Sequence, residues 1–471
     1  MWSFDLSQYD QVWKFVLGII LLMIFLLIGN VVRRVIPFLR KAFLPSALIG
    51  GLLLLLFNYL MKWITGDFVI DQRSMQIITY HSLAIGFIAM SLKSVKKEKD
   101  NGIGKYSMQN GLLTGGTYML QAVVGLLVSL IFFWLGFEKF YDAGIILPLG
   151  FGQGPGNALT WDINFSNIAE TGFQGNGSFG LTIASVGFIV ASIFGVLYIN
   201  FFKHKGEIIP PAANQERHVR EFEDENEIED SESVDKTSIQ ISFVALSYAL
   251  AFLIMLFFSK LTDWTGVKLF NSIAWGFNFI FGVVAATLVK VIVNFLRKKN
   301  IMHRQYINNY QMDRISGFAF DLMIVAGVAA IDIEVVSNYI WLIIFLALFG
   351  TVATFIYIRT MSKVCFKGFE HEAFLANFGA LTGTASNGMI LLREIDPNYQ
   401  TPMSSVYIVS QFPAMLFVAP LLLLLDMGSK SLTKCLITFG IFLVLFVLYT
   451  TFMVLMAKGK IGKKQAKGET E

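Results

Sequence analysis

The residues best suited to chemistry lie in two short stretches, LGFGQGPGNAL at 149–159 and FGALTGTASNG at 378–388. Each places two glycines four apart: Gly150 and Gly154 in the first, Gly379 and Gly383 in the second. Small residues and an amide follow in both: Pro155, Gly156 and Asn157, then Thr384, Ala385, Ser386 and Asn387. A Gly-Phe-Glu triplet precedes both, at 136–138 and 368–370. Glycine and proline interrupt a helix. An interrupted helix bares N–H groups where one half starts, and these attract a carboxylate. It bares carbonyls where the other half ends, and these suit a hard cation such as Na⁺. The competing reading is close helix packing through small residues. That reading fits Gly111, Gly115 and Gly116 well. It fits these two stretches poorly, because Pro155 and the amides Gln153, Asn157 and Asn387 are bad packing choices at lipid depth.

The elements that must hold these stretches are membrane helices. Apolar residues make up 55% of the chain and charged residues 15%, with a mean hydropathy of +0.62. A soluble domain carries about 25% charged residues. Basic residues fall in short clusters between apolar runs, which argues against nucleic-acid binding. Cys365 and Cys435 are far apart and suggest neither a metal site nor a disulfide framework. The first apolar run follows Asp5 and Asp10 and precedes Arg33 and Arg34, so it is expected to remain a span rather than act as a cleaved leader.

Runs of about 20 apolar residues can cross hydrocarbon. They fall near 15–36, 43–63, 75–92, 110–135 and 178–202, and again near 239–260, 272–295, 315–332, 337–360, 402–425 and 433–457. Eleven spans are expected. Laid on this plan, 28 Lys and Arg residues fall on one side and 8 on the other, with Lys290 inside a span. The crowded side is cytoplasmic by the positive-inside rule. The N-terminus is therefore expected outside, the C-terminus inside, in a cell inner (plasma) membrane.

The chain then divides into two halves. An N-terminal repeat covers 1–205, with its broken segment near 141–162. An acidic cytoplasmic linker, 206–236, contains EFEDENEIEDSESVD and is too polar to bury a core. A C-terminal repeat covers 237–426, with its broken segment near 371–392. An extra span and basic tail make up 427–471. Five spans per half is an odd number, so the second repeat is inverted relative to the first, as in secondary transporters. Irregular backbone survives at membrane depth only when buried in protein or lining a cavity. Each broken segment is thus read as a re-entrant hairpin. The fold class is all-α polytopic membrane protein: two inverted repeats of five helices, two hairpins, and one extra helix.

With GQGPGNALTW at 152–161 and GALTGTASN at 379–387, the chain resembles the bacterial sodium/glutamate symporter family over about residues 15–425. The resemblance implies Na⁺-coupled uptake of glutamate or a related amino acid, an inverted repeat, and a homodimer working by an elevator-like shift. Members typically carry Gly-Gly-His-Gly in the first loop. Here Gln153 stands in place of the histidine, within Gly150, Phe151, Gly152, Gln153, Gly154. The substrate-binding candidates are Gly152, Gln153, Gly154, Gly156, Asn157, Gly383, Thr384, Ser386, Asn387 and Asp321. The sodium candidates are Asn157, Thr382, Ser386 and Asp321. No other cofactor is expected, and no enzymatic constellation is found. A proton-coupled or uncoupled carrier of another organic anion is the alternative, and an ion channel a weaker one.

Asp321 is singled out because it lies inside a span, where ionisable residues usually serve function. Asp162 is expected to cap the first hairpin or bind a cation. Asp332 and Glu334 read as solvated, Arg393 and Glu394 as a surface ion pair, and His81 as interfacial. The many phenylalanines read as lipid-facing bulk, and Trp2, Trp13, Trp63 and Trp134 as interface anchors.

Overall fold

The structure is a computed structural model and describes residues 13–93, 103–138, 140–168, 171–208, 236–266, 269–302, 304–397 and 400–459. The acidic linker, apart from its first three residues and Lys236, and the basic tail beyond 459 lie outside them. The first helices are α1 (Lys14–Val35), α2 (Pro37–Lys41), α3 (Ser46–Thr65), α4 (Gln72–Leu92) and α5 (Ile103–Trp134). A 3₁₀ turn (Ala143–Ile145), α6 (Ile146–Pro148), a π turn (Leu149–Gln153), α7 (Pro155–Ser166) and α8 (Ser178–His204) follow. Next come α9 (Lys236–Thr265), α10 (Leu269–Gly276), α11 (Asn278–Lys298), α12 (Asn309–Ala329) and α13 (Ile333–Asn338). The last are α14 (Ile340–Cys365), α15 (Glu370–Thr382), α16 (Ala385–Ile395), α17 (Met403–Gly428) and α18 (Leu432–Ala457).

The protein is an all-α membrane protein, with no β-sheet among the described residues. Ten of these helices are long and apolar enough to cross a bilayer: α1, α3, α4, α5, α8, α9, α11, α14, α17 and α18. The expected eighth span is α12. It has the length, 21 residues, but Asp313, Arg314 and Asp321 make it too polar to count by composition.

The chain forms two compact units, and each draws on both sequence halves. The first comprises residues 1–27, 50–98 and 212–330. Its core joins Ile88, Ala89 and Leu92 of α4 to Val244 of α9, Ala286, Val289 and Val293 of α11, and Met312 of α12. Asp71 caps α4 through Ser74 N, and Asn308 caps α12 through Gln311 N. These two helices touch where Gly86 faces the Phe320 ring and accepts Ser316 Oγ on its carbonyl. Lys290, inside α11, donates to the carbonyls of Ser91 and Lys93 at 2.7 and 3.0 Å. Its charge thereby meets the negative end of the α4 dipole. His81 hydrogen-bonds the Tyr248 hydroxyl.

The second unit comprises residues 28–49, 99–211 and 331–471. Helix α5 is its spine. Gly111 faces Pro413 and Ala414, Gly115 faces Phe417, and Gly116 faces the Tyr357 hydroxyl. The close-packing reading of these three glycines therefore holds. At the far end, Gly125 lies against the Gly144 backbone so closely that a side chain on either would collide.

Two expectations are corrected. The phenylalanines are not all lipid-facing: Phe151, Phe165, Phe179, Phe188, Phe366, Phe374, Phe378 and Phe442 are among the largest fully buried side chains, and all belong to the second unit. Lipid and core are equally apolar, so hydropathy could not separate them. Glu394 pairs with Lys203 of α8 at 3.5 Å, not with its neighbour Arg393. Successive residues on a helix point about 100° apart and do not face each other.

Candidate functional site

Both glycine-rich stretches are broken helices, and both lie in the second unit. The first breaks at Gly154, whose φ of 80° and ψ of −174° belong to a region open essentially to glycine alone. Pro155 then opens α7, its fixed φ suiting the first helical position. The second breaks at Gly383 and Thr384, between α15 and α16. Gly383 has a φ of −134°, outside the left-handed region. A side chain on it would run into the Asn387 amide. Within this second segment, α15 and α16 pack back to back, with Gly379 against the Gly388 backbone.

Helix α8 gathers the two segments. Gly180 receives Ala158 of α7. Gly187 receives both the Thr382 carbonyl at the end of α15 and Phe151 of the π turn. Gly195 receives the Leu391 side chain of α16. These glycines stand seven and eight residues apart, about two helical turns, and so share one face. That regular spacing was the available sequence signal, and sequence reasoning missed it.

Neither α7 nor α16 has a side-chain hydrogen bond capping its first turn. The first N–H groups of a helix have no partner within it. Beside these starts stand polar atoms that are buried and unsatisfied: Asn157 Oδ1, Thr384 Oγ1 and Asn387 Nδ2. Asn157 is 1% exposed and Asn387 6%. The Asn157 amide nitrogen donates to Gln153 Oε1 at 2.7 Å, which leaves its oxygen free. Asn387 faces Ala191 and Ser192 of α8, between the Gly187 and Gly195 contacts. Thr382 is buried, and its hydroxyl donates to the Phe378 carbonyl. Gly154 and Gly156 are buried, Gly152 and Gln153 half-buried, and Ser386 exposed.

The structure thus brings together the candidates of the first stretch and those of the second within one unit. Asp321 belongs to α12, in the other unit. Asp162 caps, but it caps α8: its carboxylate accepts from Gly180 N at 2.8 Å. Asp332 likewise has a structural task, capping α13 through Glu334 N.

Sequence reasoning also missed the buried polar stripe of α5. Gln121 Nε2 donates to the Thr354 hydroxyl at 3.1 Å and to the Leu381 carbonyl at 2.8 Å, and Gln121 Oε1 has no partner. Asn377 Nδ2 donates to Asn110 Oδ1, and Asn110 in turn to Ser410. Ser107, Asn110, Thr117 and Gln121 recur at three, seven and four residues, a helical spacing that was legible. Among the described residues no three His, Cys, Asp or Glu side chains cluster. The unsatisfied polar atoms beside the two breaks belong to amide and hydroxyl groups. No protein-family model matches the chain, and no curated protein matches it.

Proposed function

We propose that this membrane protein is a secondary active transporter that takes up glutamate or a related amino acid together with Na⁺. The observation that carries the reading is the pair of helix breaks in one unit, each with an uncapped helix start beside an unsatisfied buried amide. An unpaired buried polar group costs roughly 1–3 kcal/mol. A ligand that pairs with such groups recovers that cost, so their survival favours a binding role. Uncapped helix starts and the Asn387 amide donate, and suit carboxylates. Asn157 Oδ1 accepts, and suits an ammonium or Na⁺. On this reading the two segments are re-entrant hairpins of inverted five-helix repeats, and α18 is additional to them. The resemblance to the sodium/glutamate symporter family adds a homodimer, an elevator-like alternating access and an outside N-terminus. No catalytic step and no cofactor beyond the coupling ion are part of the proposal.

Uptake of labelled glutamate, aspartate and dicarboxylates into proteoliposomes tests it. Accumulation is expected under an inward Na⁺ gradient and not in choline. Accumulation driven equally by a proton gradient, or no dependence on either ion, overturns sodium coupling.

Asp321 is half-buried and has no hydrogen bond or ion pair among the described residues. If it serves substrate or Na⁺, Asp321→Asn raises the half-saturating concentration of one of them about tenfold or more, equivalent to about 1.4 kcal/mol. Unchanged dependence on both removes Asp321 from the site.

A further inference from the structure

Outside the broken-helix site, the most unusual group in the second unit is Asp142. It lies between Trp134 and Ala143, outside the membrane-length helices, and is fully buried. Its side chain caps nothing, although it precedes the 3₁₀ turn that leads into the first broken segment. Instead the carboxyl lies flat on Gly428, the last residue of α17. A side-chain carbon there would stand 2.6 and 2.7 Å from its two oxygens. Oδ1 receives only the Cys435 thiol of α18, at 3.6 Å, and Oδ2 has no partner.

Among the described residues, little around this carboxyl supports a negative charge. A helix C-terminus carries partial negative charge, and α17 ends here after 26 residues. The charged groups of α17 and its following turn, Asp426 and Lys430, pair with each other at 2.6 Å. No cation is left from that side to meet Asp142. Helix α18 offers Cys435 and, one turn on, Thr438, whose buried hydroxyl also lacks a partner. Tyr141 spends its hydroxyl on the Ser429 carbonyl. Ser129 of α5 donates to the Tyr141 carbonyl and is uncharged. A carboxyl so placed takes up a proton from water rather than remain ionised.

We propose that Asp142 is a proton-binding site whose neutral carboxyl pins the C-terminal end of α17 and the start of α18 to the root of the first broken segment. Burial, with Asp426 nearby, raises the affinity of this carboxyl for its proton well above the ordinary, and the weak Cys435 contact offsets this only in part. The sign of the linkage follows. A carboxyl raised in the folded state contributes its stability fully below the unfolded value, about 4. It loses that contribution as pH rises toward the folded value.

The test uses purified full-length wild type, Asp142→Asn and Asp142→Ala. Unfolding is followed across a pH series in NaCl and in choline chloride. The amide replaces a neutral acid closely, so Asp142→Asn is expected to fold and to match wild type at the acid end. Above about pH 4, wild type should lose about tenfold in folding equilibrium constant per pH unit relative to Asp142→Asn, until the folded value is reached. Asp142→Ala, which empties the pocket, should be weaker than both at the acid end. Infrared difference spectra at pH values where an ordinary carboxyl is ionised should show the C=O stretch of a protonated carboxylic acid in wild type that Asp142→Asn lacks. Parallel pH profiles, or no difference in that stretch, overturn the proposal. So does failure of Asp142→Asn to fold, which would mean that the charge is required. A stabilisation by Na⁺ over choline that is lost in Asp142→Asn would make this a cation site instead.

Discussion

Valine in place of Gly154 is expected to abolish uptake while the protein still reaches the membrane. The cause is backbone, not bulk. At φ 80° and ψ −174° an L-residue pays about 1–3 kcal/mol, and a β-branched one stands at the worse end. Pro155 fixes the next φ, so the neighbouring dihedral cannot absorb the strain. It is relieved by shifting the start of α7, which carries Gly156 and Asn157. Gly154→Ala should already lose most of the activity for the same reason. Gly383 provides the contrast. Its φ is open to other residues, and the nearest obstacle is the movable end of Asn387, although the Gly379 carbonyl stands at 3.0 Å. Gly383→Ala should therefore express normally and raise the half-saturating substrate concentration. Initial rates over a range of substrate, normalised to protein recovered by size exclusion, separate the two cases. Normal uptake by Gly154→Val would mean that the break has no part in transport.

Leucine in place of Asn157 or Asn387 should move stability and transport in opposite directions. Each amide is buried and has one unsatisfied atom. Replacing an unsatisfied polar group by an apolar one of similar size is neutral or stabilising when its only role is structural. If the free atom meets a charged substrate group, the lost hydrogen bond costs about 1.5–3 kcal/mol, or roughly 10- to 100-fold in affinity. Thermal midpoints in detergent at or above wild type, with a half-saturating concentration raised by that factor, are expected for both variants. A fall in stability with unchanged uptake would instead assign the amides to packing. Because Asn157 also donates to Gln153, its variant should show the smaller gain in stability.

Helix positions were legible because a span announces itself: a long apolar run closed by Lys or Arg. The ends of α8 and α18 fall within two residues of expectation. The breaks were legible because glycine and proline cannot continue a helix unnoticed. Partnership between helices was not. A lipid-facing phenylalanine and a buried one obey the same hydropathy, so Phe374 and Phe378 look no different in the sequence from Phe412, which is 75% exposed. Asp162 looked free to bind a cation because its acceptor task lies 18 residues away, at Gly180 N. Helix α12 was anticipated by its length, although its three charges make it too polar to count as a membrane span by composition. Asp142 was passed over because a loop acid normally faces water. Its burial depends on Gly428 and Cys435, nearly 300 positions on.

The glycine face of α8 has a mechanical consequence. Gly187 holds the end of α15 and the π turn against a single backbone position, while Gly180 and Gly195 clamp the flanking half-helices. The two breaks are therefore bolted to one rod and cannot open like jaws. On the proposed function, a bound molecule would leave by side chains turning aside or by movement of the whole rod. By the same token, damage at Gly187 does not stay local, because one added methyl group pushes on both halves of the grip at once.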